Sequence, residues 1–63
     1  MSIEVLTEAP GGYVTVEASE VIKTDRSRRT HGVHVRFRNG DFVIVSDEVA
    51  QVLERLGIMP PYR

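Results

Sequence analysis

The sequence predicts a small α+β domain, an antiparallel β-meander of four to five strands with one C-terminal helix packed on one face. Three observations carry this reading. Before residue 46, short segments rich in β-branched and aromatic residues alternate with polar ones. An Asn39-Gly40 pair separates two such segments, as a hairpin turn does. Beyond Ser46 the apolar residues Val49, Val52, Leu53 and Leu56 switch to helical spacing.

The first strand spans about 3–6, with Ile3 and Val5 on one side. Pro10, Gly11 and Gly12 then supply turn chemistry: proline presets φ, and glycine accepts positive φ without steric cost. Residues 13–17 alternate and are rich in β-formers, which predicts a half-buried second strand. A polar break, Ala18-Ser19-Glu20, precedes a short third strand at 21–24. Residues 25–30 hold no apolar side chain and read as a solvated loop.

Strands at 32–38 and 41–45 form the hairpin. A two-residue type I′ turn at Asn39-Gly40 sets Phe37 opposite Phe42, Val35 opposite Ile44 and His34 opposite Val45. Under that register Val33, Val35, Phe37, Phe42 and Ile44 face the helix. His34, Arg36, Arg38, Asp41, Val43 and Val45 face outward. Ser46 is the helix N-cap, and Asp47 and Glu48 suit the positive end of the helix dipole. The helix spans 47–56, Gly57 ends it, and Ile58 packs back on Leu53 in a Schellman motif. Residues 57–63 form an extended tail, with Pro60 and Pro61 in a polyproline-like stretch that Tyr62 pins against the domain.

Sixty-three residues make one domain, 1–63, and the absence of cysteine excludes disulfides and thiolate metal sites. A core this small supplies only about 3–5 kcal/mol, so self-association is the expected additional support. The opening residues lack a basic and an apolar region, and no apolar run reaches the roughly 20 residues that span a bilayer, which predicts a cytoplasmic protein without membrane contact. His31 and His34 fall on opposite strand faces, so no shared metal is expected, nor any cofactor. No nucleophile elbow, converging carboxylate pair or phosphate-cradling loop occurs, so the chain is not expected to be an enzyme or to take a small-molecule substrate.

The net charge of −1 is unevenly spread: residues 1–22 carry four glutamates and no Lys or Arg, whereas residues 23–38 carry six of the eight basic residues. Two functions suit that distribution. In the first, His34, Arg36, Arg38, Val43 and Val45 bind a protein partner or a second copy, the arginines pairing with acidic groups and the valines becoming buried. Cover by the 25–30 loop or the tail is an equal account of the two valines. In the second, Lys23, Arg26, Arg28 and Arg29 hold phosphate beside the basic strand face 34–38, and the partner is DNA or RNA. A slightly acidic total and the lack of exposed stacking aromatics on that face weigh against nucleic acid.

The segments Tyr13–Val16, Glu20–Ile22, Val33–Val35, Asn39-Gly40, Phe42–Val45, Glu48-Val49 and Val52-Leu53 together resemble the FlbD family of small flagellar proteins. The Arg-rich loop 25–30 is an insertion relative to that pattern. The resemblance implies a β-meander with a C-terminal helix and a small, non-enzymatic regulatory protein.

Overall fold

The turn between the fourth and fifth strands decides which side chains enter the core. A computed structural model describes residues 1–26 and 32–61. Its strands are β1 (Ser2–Thr7), β2 (Gly12–Glu17), β3 (Val21–Arg26), β4 (Gly32–Phe37) and β5 (Phe42–Ser46), followed by helix α1 (Asp47–Arg55). The α+β class and the five antiparallel strands agree with expectation. The strands are, however, divided between two sheets, β1-β2 and β3-β4-β5, because a 3-10 turn at Ala18–Glu20 interrupts the chain where a meander would pair β2 with β3.

The hairpin register differs by one residue from the type I′ expectation. Gly40 N–H donates to the Phe37 carbonyl at 3.1 Å, and Phe37 N–H donates to the Asp41 carbonyl at 2.9 Å. Arg38, Asn39 and Gly40 therefore form a three-residue loop, with Gly40 at φ 93° in the position that requires positive φ. The Asn39 side chain accepts from Asp41 N–H at 2.9 Å and fastens the turn. Arg36 now lies opposite Phe42, Val35 opposite Val43, and His34 opposite Ile44. A one-residue slip exchanges the faces of a strand, so Val43 and Val45 turn inward while Phe42 and Ile44 turn outward.

The core is built from both sheets and the helix: Val5 and Val16, then Val33, Val35, Val43 and Val45, then Ala50 and Leu53. Backbone hydrogen bonds join the sheets at one side. Ile44 N–H donates to the Ala9 carbonyl at 2.8 Å, and Glu8 N–H donates to the Ile44 carbonyl at 2.7 Å. The outer edge of β5 is thereby covered at Ile44. At the opposite side Arg38 N–H donates to the Glu20 carbonyl at 3.0 Å and ties the hairpin to the 3-10 turn.

Ser46 caps α1 as expected, its hydroxyl accepting from Val49 N–H at 3.2 Å. Gly57, at φ 75°, donates to the Glu54 carbonyl, and Ile58 N–H donates to the Leu53 carbonyl. This pair of bonds is the Schellman motif. It returns the chain so that Ile58 and Met59 are buried beside Leu53, which makes the first part of the 57–63 segment core, not free tail. Ala50 and Leu53 face the sheets, and Val52 and Leu56 remain about half exposed. Tyr62 lies outside the described residues.

Gly32 is buried and serves close packing. A Cβ there would stand 2.9 Å from the Val45 carbonyl oxygen and 2.7 Å from an Ile44 methyl. Gly32→Ala should lower stability by about 1–3 kcal/mol, read as a reduced urea midpoint at constant slope. The register has a sharper test. Val43→Asp buries a charge in a core worth only about 3–5 kcal/mol and should leave the chain unfolded by circular dichroism, whereas Phe42→Asp should stay folded. The type I′ register demands the reverse.

Candidate partner-binding groove

The register correction redistributes the residues expected to bind a partner. Val43 and Val45 are 4% and 0% exposed, so neither offers apolar surface to a second chain. His34, half-buried, and Arg36, exposed, remain on the outer face of the three-stranded sheet. Phe42 joins them there, 51% exposed, with its ring 5.6 Å from the His34 ring and nearly parallel to it. The β3–β4 ladder adds Lys23 opposite Arg36 and Asp25 opposite His34. The basic strand face thus carries an aromatic side chain that the two-residue turn had assigned to the core.

The two described members of the expected phosphate-binding set, Lys23 and Arg26, have carboxylate partners. Lys23 Nζ lies 3.7 Å from Asp25, and an Arg26 amino group lies 3.2 Å from Asp47 in α1. Arg38 Nε donates to the Ser19 carbonyl at 2.9 Å and lies 3.9 Å from Glu20. These pairs are exposed, so each contributes little to stability, but they reduce the positive field that phosphate would feel. Arg28 and Arg29 lie outside the described residues, as does His31. Among the described residues no group of three His, Asp or Glu side chains is placed to hold a metal ion.

A groove of about 710 Å³ opens between β2 and the tip of the β4–β5 hairpin. Val14, Phe37 and Phe42 supply apolar surface, Pro10 stands at the β1–β2 turn, and Glu17, Glu20 and Asp41 bring carboxylates. Among the described residues the lining includes no Lys or Arg. Local sequence accounts for the geometry: Gly40 allows the tight loop that presents Asp41 and Phe42, and the 3-10 turn places Glu20 across from them. No local pattern in the sequence marks this groove. The nearest signal is an Asn-Gly pair compatible with two loop lengths, of which only the longer turns Phe42 outward.

Glu17 accepts from the amino group of Met1 at 3.1 Å, and the Ser19 hydroxyl donates to it at 3.4 Å. The hydrogen bond from the Met1 ammonium is the main reason its carboxyl is held below the ordinary glutamate value, with the ammonium charge and Ser19 adding to it against desolvation. A carboxyl depressed in the folded state contributes stability that is fully present above its unfolded pKa. That contribution is lost as pH falls through the lower, folded pKa. In an NMR titration of side-chain carboxyl carbons, Glu17 should titrate below the ordinary glutamate value, and acetylating the Met1 amine should move it back up.

No protein-family model matches the chain, and neither the curated proteins nor the solved structures include a match to it.

Proposed function

We propose that this chain is a small, non-enzymatic regulatory or accessory protein of the cytoplasm that acts by binding another protein, with a second copy of itself as one candidate partner. The observation that carries the reading is the groove: apolar side chains from two sheets meet beneath a carboxylate rim in a domain of 63 residues. Phe42 is half-exposed at its edge, and large aromatic side chains of this kind anchor protein interfaces. Among the described residues no buried side-chain nitrogen or oxygen lacks a hydrogen-bond partner. The carboxylates that line the groove belong to exposed or half-buried residues, Glu17, Glu20 and Asp41, which suits contact with a partner surface more than enclosure of a small molecule. The resemblance to the FlbD family points to the same class of protein.

A photo-crosslinking amino acid at position 42, introduced in cells, should give a discrete adduct containing a second polypeptide. A chain that yields no protein adduct overturns the reading. Sedimentation velocity separates self from non-self: a mass that doubles as concentration rises identifies a second copy, and a monomer up to high micromolar concentration excludes it.

The outer sheet face favours a second reading, a nucleic-acid surface. Phe42 stacked on His34 offers a ring to a base, with Arg36 and Lys23 beside it for phosphate. Titration with single-stranded and duplex DNA and RNA at two salt concentrations tests it. Phosphate binding strengthens steeply as salt falls, so the absence of binding at low salt removes this alternative.

A further inference from the structure

Three independent features of the groove narrow what can fill it. The first is a backbone edge. Among the described residues β2 pairs with β1 alone, so its other edge carries N–H and C=O groups with no described strand partner, and Val14, Thr15 and Glu17 of β2 line the groove. The second is apolar surface beside that edge, to which Val14 of β2 contributes together with Phe37 from the inner face of the hairpin and Phe42 from its outer face. The third is charge: Glu17, Glu20 and Asp41 line this surface, Glu17 bonded to the Met1 ammonium and Glu20 3.9 Å from Arg38, and among the described residues no Lys or Arg shares the lining.

We infer that the groove takes an extended segment of a partner protein, added along the free edge of β2. An apolar side chain of that segment packs against Phe37 and Phe42, and a Lys or Arg reaches the carboxylate rim. The inference rests on the protein-binding reading above and gives its partner a chemistry. An extended strand uses all three features: its backbone pairs with the open edge, and its alternating side chains divide between the apolar surface and the rim. A docked helix satisfies its own backbone and leaves the edge of β2 unpaired. A nucleic-acid strand brings phosphates against Asp41 and against Glu17 and Glu20, whose charges the Met1 ammonium and Arg38 offset only in part, so the rim gives phosphate no attraction.

The test is to pan a random-peptide display library against the folded chain and measure the enriched peptides by fluorescence anisotropy. Enriched sequences should place Lys or Arg one or two positions from an aliphatic or aromatic residue, and binding should weaken as salt rises. Bound peptide should shift the backbone amides of Val14, Thr15, Glu17 and Phe42. Replacing all three rim carboxylates, Glu17→Gln with Glu20→Gln and Asp41→Asn, should weaken binding by about tenfold, the sum of three exposed ion pairs. A control triple, Glu4→Gln with Glu48→Gln and Glu54→Gln, removes as much charge away from the groove and should leave affinity within about twofold. Circular dichroism of both triples shows that they are folded.

Enriched acidic peptides overturn the inference, as do amide shifts confined to α1 or a helical bound conformation. Each of those outcomes leaves protein binding itself standing. Equal weakening in the two triples also overturns it, because the attraction is then to net charge and not to the rim. Self-association that shifts the β2 amides in the absence of peptide identifies a second copy as the occupant and overturns it too. No enriched sequence together with no crosslinked protein at position 42 overturns both this inference and the reading beneath it.

Discussion

The conformation of one glycine sets the inside and outside of this domain. At φ 93°, Gly40 closes a three-residue loop, and the odd number of residues in that loop fixes the parity of β5 against β4. Strand side chains alternate with period two, so parity is an all-or-nothing choice for the whole strand. With this loop, four valines from the hairpin meet in one layer and contact Leu53 and Ala50 of the helix through a fully apolar interface. With a two-residue loop, Phe42 and Ile44 would take the places of Val43 and Val45, and two larger side chains would have to enter a core cluster that already includes Ile58 and Met59.

The same parity joins the two sheets. The outer edge of β5 offers Ile44 N–H and C=O to the chain leaving β1, and both are used by Glu8 and Ala9. A small domain gains twice from that contact. It satisfies backbone groups on an edge that would otherwise invite aggregation, and it holds Val5 and Val16 against the valines of β4 and β5 so that one core serves both sheets. No sheet of two strands is stable alone in water, and β1-β2 acquires its stability by this attachment.

Local chemistry was legible in the sequence, and side-chain placement across elements was legible only where a turn or cap allowed one geometry. Alternation located all five strands to within a residue or two, Ser46 marked the helix start, and Gly57 with Ile58 marked its end. These features depend on neighbours a few positions apart. Asn39-Gly40 was the weak point because the pair serves in a two-residue loop and in the last two positions of a three-residue loop, and only core packing chooses between them. The helix shows the same limit. Val49, Val52, Leu53 and Leu56 are one apolar stripe by spacing, but which part is buried depends on where residues 58 and 59 return, a tertiary matter. The groove was invisible for the same reason, since β2 and the hairpin tip are far apart in the chain.

Charge follows a related logic. In the sequence, acidic residues gather before position 22 and basic residues between 23 and 38, a pattern that reads as a cationic patch. Folding mixes them: Lys23 meets Asp25, Arg26 meets Asp47 of the helix, and Arg38 lies against Ser19 and Glu20. Folding leaves the opposite feature, a groove whose charged lining residues, among those described, are all acidic. Two of its carboxylates, Glu17 and Glu20, come from the acidic segment, and the third, Asp41, comes from the residue after Gly40. The loop that turns the valines inward therefore also carries Asp41 and Phe42 to the rim. A change in its length would invert the core and dismantle the groove together, so in this chain the surface available to a partner and the packing that makes it fold are one constraint.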